Sequence, residues 1–189
     1  MSPRTLMLLS AASLTFAACN RGDDQPATPV DDLEVENTVL TNDVPATILA
    51  TAQEFANAVA ASDRFEIESS KLAASAAQSS AVKTFANNMI KAHTASTEKL
   101  KTTVAGLATP LTINDALTAN QQQLLDGLKG KRGADLDAAY SAAQVSAHQA
   151  TLDALNAYAA SGDDPALKPL ASEMIPTVTA HLNAAKGLR

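Results

Sequence analysis

The stretch Ala81-Val-Lys-Thr-Phe-Ala-Asn-Asn-Met-Ile90 returns later in the chain as Ala166-Leu-Lys-Pro-Leu-Ala-Ser-Glu-Met-Ile175. Both copies space their apolar residues by three and four, the period of one helix face. Each is followed by a histidine on that face, His93 four residues after Met89 and His181 seven after Met174. Two such segments, each opening the second helix of a pair, read as a duplicated helical hairpin. Chance similarity between two alanine-rich helices is the competing explanation.

The same period extends on both sides of the two copies. It predicts a helix over 45–77, with Leu49, Ala52, Phe55, Ala56, Val59 and Ala73 inward. A second runs over 80–104, with Val82, Phe85, Ala86, Met89 and Leu100 inward. Gly106 and Pro110 then break the pattern. A short helix follows near 114–128, and Gly130 and Gly133 separate it from a third long helix over 134–160, carrying Tyr140, Ala147, Leu152 and Leu155. Ser161-Gly-Asp-Asp-Pro165 is a stop and restart: a Gly cap, an Asp cap and a Pro in the first turn. The fourth long helix runs from Pro165 to about Lys186, and Pro176 inside it should kink it. No segment alternates as a strand does.

Composition agrees. The 189 residues contain no Trp, 3% aromatics and a single cysteine, and alanine-rich sequence of this kind forms helix. Short loops within two pairs and one longer crossover between them predict an all-α fold. It is a ferritin-like four-helix bundle built from two helical hairpins, with a short extra helix in the crossover.

The single cysteine bears on address. Residues 1–18 have Arg4, an apolar run from Leu6 too short to span a bilayer, and Ala17-Ala18 before Cys19. This is the layout of a secretory signal. A cysteine directly after small residues resembles the bacterial lipobox, with Phe16 where Leu is usual. Cys19 is therefore the expected lipidation site and the first mature residue, and an ordinary secretory signal is the alternative. Asn20, by resemblance to enterobacterial lipoproteins, favours the outer membrane. Residues 19–44 carry seven acidic residues against Arg21 alone, so they read as a solvated, disordered tether. The domain proper is expected over 45–189, where twelve basic residues face thirteen acidic ones. No basic patch with interleaved aromatics exists, so nucleic acid is not an expected partner. The expected partner is the membrane, through the lipid. A homo-oligomer or another helix on the alanine-rich faces is a further reading.

All three histidines fall on apolar helix faces. His93 is in line with Val82, Ala86, Met89 and Leu100, His148 lies between Gln144 and Leu155, and His181 lies among Met174, Val178 and Ala185. Glu66 shares the inward face of the first helix, whereas Glu68 lies further round. Glu66 and His93 sit at similar depths below one turn, and His148 and His181 below the other. Periodicity does not say whether the two pairs meet. One Glu and three His converging in a bundle suit a mononuclear Zn, Cu or Fe site. A metal-free network with Gln144 and Tyr140 beside the imidazoles fits the same pattern. A di-iron site is not expected, because neither His93 nor His181 is preceded by Glu at the Glu-x-x-His spacing.

The ordered motifs Phe65-Glu-Ile-Glu-Ser-Ser-Lys-Leu-Ala73, Val82-Lys-x-Phe-Ala-x-x-Met-Ile-x-x-His93, Tyr140-x-x-x-Gln-Val-x-x-His148 and Pro176-x-x-x-x-His181 resemble a bacterial domain-of-unknown-function family. Its members are envelope proteins with a ferritin-like helical bundle, often labelled outer-membrane proteins. The resemblance spans about 53–185. It implies the fold and an outer-membrane lipoprotein facing the periplasm, and no established activity. Ala92 departs from the family pattern, which commonly has Asp before the histidine. No Ser-His-Asp set, phosphate loop or Cys-His dyad points to an enzyme. The leading expectation is a binding or envelope-stress module, the alternative a metal-binding protein or metalloenzyme using Glu66, His93, His148 and His181. A purely structural bundle is a third.

Overall fold

The computed structural model describes residues 51–188. The expected signal segment, Cys19, the acidic tether and the first residues of the expected helix 45–77 lie outside them. Five helices and no strand make up the described residues: α1 (Ala52–Ala76), α2 (Ser80–Ala105), α3 (Ala119–Lys129), α4 (Gly133–Ser161) and α5 (Leu167–Lys186). Their starts are chemically marked. Thr51 and Glu54 close a capping box on α1, Ser79 caps α2, and Thr118 with Gln121 closes a second box on α3, each satisfying amides that the helix itself leaves free.

α1 packs along α2 and α4 along α5, and the pairs meet through α1 against α4 and α2 against α5. Ser62 meets Thr151 and Ser70 meets Tyr140, so α1 and α4 run antiparallel. Lys99 pairs with Glu173 and His93 faces His181, so α2 and α5 do too. The turn between α1 and α2 is tied to the start of α4: the Gln78 and Ser79 amides donate to the Asp137 carboxylate, each at 2.9 Å.

The crossover differs from its expected form. Helix begins at Ala119, not near Asn114, because the preceding segment runs along α1 and is held there by side chains. The Gln53 side chain donates to the Thr112 backbone carbonyl at 2.7 Å, and Asn57 Oδ1 accepts from the Asn114 backbone amide at 2.9 Å. α5 also starts two residues late. The Asp164 carboxylate accepts from the Ala166 amide at 2.7 Å, which makes a turn of Pro165-Ala166 before the helix. α5 then continues through Pro176 as one element. Pro176 and Ser172 are exposed, so the carbonyl that proline leaves without a donor faces water.

Along the axis the core changes character. One end is apolar, with Phe55, Leu100, Val104, Leu155, Tyr158, Leu167 and Leu170. The other is apolar too, with Val82, Phe85, Met89, Leu136 and Tyr140. The echoed segments bury matching positions, Val82 with Leu167, Phe85 with Leu170 and Ala86 with Ala171. Between the two ends lies a buried polar layer containing Asp63, Glu66, His93, Gln144 and His148. Among the described residues, no helix is long and apolar enough to cross a membrane.

Candidate metal centre

α2, α4 and α5 each deliver one imidazole to this layer. The ring centroids of His93, His148 and His181 are 5.4–5.6 Å apart. One ring nitrogen from each lies within 4.8 Å of the other two. The two hairpins therefore do bring their histidines together.

Two of the rings are held by their far nitrogens. His93 Nδ1 is 2.8 Å from Asp63 Oδ1, and His148 Nδ1 is 2.9 Å from the Gln144 carbonyl oxygen. Both partners only accept, so both Nδ1 atoms carry the proton. In neutral rings this leaves Nε2 with the lone pair. The Nε2 atoms of His93 and His148 and the Nδ1 of His181 are buried and have no hydrogen-bond partner in the protein. Imidazoles oriented by a carboxylate or carbonyl behind them, bare nitrogens forward, are the arrangement that metal-binding histidines use.

Glu66 stands outside the set of mutually close nitrogens. Its Oε1 is 3.6 Å from His148 Nδ1, on the side of the ring turned to Gln144. It thus borders His148 from behind rather than joining the three imidazoles, because α1 meets α4 at this level. Tyr140 is spent elsewhere, its hydroxyl 2.7 Å from the Ser70 hydroxyl. Gln144 acts on His148 through its backbone, and its amide donates to Ser69 Oγ at 3.3 Å. Cys19 lies outside the described residues.

Asp63 was not singled out by the periodicity, although it is three residues before Glu66 on the same face. It is only 2% exposed, and Thr97 donates to its second oxygen at 3.1 Å. The carboxylate that Ala92 does not provide beside His93 thus comes from α1.

Burial and charge separate the groups. Burial lowers His148 to about 4, helped by the charge of His93, and lowers His181 to about 4 for the same reasons. Burial also opposes charge on His93, but the Asp63 hydrogen bond and the charges of Glu66 and Asp63 outweigh it and raise its pKa. Glu66 is pushed up to about 7 by burial, against the pull of His93 and Gln144.

These shifts have opposite consequences for the pH dependence of stability. His148 and His181 contribute stability above their unfolded pKa of 6.5, which is lost as pH falls toward 4. Glu66, raised from 4.5, contributes below 4.5 and loses that contribution as pH rises through about 7. Glu66→Gln removes the alkaline loss. The variant should match the wild type near pH 4 and exceed it by up to about 3 kcal/mol near pH 8, from the size of the shift. Urea unfolding at both pH values measures this, and a difference that does not change with pH would contradict it.

No curated protein and no solved structure matches the chain. Residues 39–188 match the family described as a domain of unknown function, DUF4142, and the chain belongs to that family.

Proposed function

We propose that this protein is a metal-binding module that holds one transition-metal ion on His93, His148 and His181. The observation that carries the reading is the three buried, partnerless ring nitrogens on three helices, one nitrogen of each ring within 4.8 Å of the others. A buried polar atom without a partner costs roughly 1–3 kcal/mol, and one cation satisfies all three. Charge supports the same reading. Asp63 and Glu66 are 2% and 1% exposed, and two buried carboxylates are costly unless compensated. A divalent ion on the neighbouring imidazoles supplies the compensating charge. Neutral imidazole suits Zn, Cu and Fe. In this reading Asp63 and Glu66 tune His93 and His148 rather than touch the ion.

The scaffold we assign is a ferritin-like four-helix bundle. Its support is the antiparallel order of neighbouring helices, the two hairpins and the long crossover from α2 to α4. The address we assign is the periplasmic face of the outer membrane, through a lipid on Cys19 after Ala17-Ala18. Metabolic fatty-acid labelling should mark the wild type and not Cys19→Ser, and equal labelling would refute the anchor.

Dialysis tests the metal reading. Protein purified without a polyhistidine tag should retain one equivalent of Zn²⁺, and His93→Ala and His181→Ala should each retain far less. Equal retention by the double variant would place the ion elsewhere.

A further inference from the structure

A cleft of about 220 Å³ lies between α2 and α5 and reaches the imidazole layer. His93 and His181 line it, whereas His148 approaches from the α4 side. Ala92 and Ala95 keep its α2 wall thin, and Met174 forms part of the α5 wall. Ser96 lines the same space, and its hydroxyl oxygen is buried without a hydrogen-bond partner. At the rim, Lys99 and Glu173 pair with each other, so the rim carries no net charge.

Three imidazoles leave a transition metal short of the four ligands it usually takes, and an accessible fourth position is the mark of a site that exchanges ligands. Here the cleft meets the layer on the side that His93 and His181 share. Its volume is that of roughly seven waters at about 30 Å³ each. That admits a molecule of a few heavy atoms and falls below the roughly 300–1,000 Å³ of sites for drug-sized ligands. A metal on one side and a serine hydroxyl on the other call for a ligand with one donor atom for the ion and one acceptor for Ser96.

We infer that the cleft binds a small oxyanion, of carboxylate or bicarbonate size, directly to the metal, with Ser96 donating a hydrogen bond to it. The inference rests on the metal reading above. The step is a ligand exchange at the ion, with no oxidation and no covalent bond to the protein.

The test uses full-length protein loaded with Cu²⁺ and titrated with azide, a small anion whose binding to copper gives a charge-transfer band. The wild type should develop a saturable band at one azide per copper. Acetate or bicarbonate should displace it, and the better competitor identifies the class of oxyanion. Ser96→Ala should weaken azide about tenfold, the value of one hydrogen bond. Ala95→Leu, which fills the cleft from an exposed helix position, should abolish the band while copper content and melting temperature stay unchanged. Stoichiometric copper with no azide band would overturn the inference and leave the metal reading standing. So would equal azide affinity in the wild type and both variants. Failure to bind copper at all would overturn both.

Discussion

Phe55→Ala should cost about 3–5 kcal/mol of folding stability, the range for a buried aromatic truncated in a site that does not collapse. Phe55 is fully buried and stacks on Tyr158, with ring centroids 4.0 Å apart and planes 14° from parallel. Such a pair adds about 0.5–1.5 kcal/mol beyond the area it buries. Tyr158 is not free to fill the space. Its hydroxyl donates to Asp163 at 3.2 Å and accepts from the Asp164 amide at 3.4 Å. Gly162 packs so closely that a Cβ there would stand 2.6 Å from the Tyr158 ring. The cavity should therefore persist. Urea unfolding measures the change, and a loss under about 1 kcal/mol would show a core that relaxes more than this packing allows. Phe55 belongs to the apolar cluster away from the histidines, so the variant should still bind metal when folded.

Zinc should raise the melting temperature of metal-stripped protein by roughly 5–10 °C. An ion that binds only the folded state adds about 2.7 kcal/mol at a hundredfold excess over its dissociation constant, and in a chain of this size each kcal/mol is worth about 2–4 °C. His93→Ala and His181→Ala each remove one of three ligands, so most of the gain should vanish in either. Glu98→Gln changes an exposed carboxylate on α2 and should keep all of it. An equal gain in all four proteins would assign the effect to surface carboxylates.

Periodicity carried most of the helical plan, because core-facing residues recur every three or four positions and the same rule applies to polar ones. Phe55, Met89, Leu155 and Val178 follow it, and so do His93 and His148. Glu68, expected further round than Glu66, is only half-buried and pairs with Arg64. The crossover escaped because its shape is set by Gln53 and Asn57, which lie far away in sequence and bond its backbone. Asp63 escaped for a different reason. An aspartate beside Ser62 and Arg64 reads as solvated, and only the approach of His93 from another helix explains its burial. The meeting of the two hairpins at one level depends on that crossover, so the joining of three imidazoles is a tertiary fact that helix phase alone does not contain.

The central claim is that three imidazoles from three helices hold one ion, and X-ray absorption at the metal edge of zinc-loaded protein tests it most directly. The spectrum should show three imidazoles with zinc–nitrogen distances of about 2.0–2.1 Å, and this signature should be lost when His93, His148 and His181 are replaced together. A shell made only of oxygen, or one unchanged in the triple variant, would contradict it.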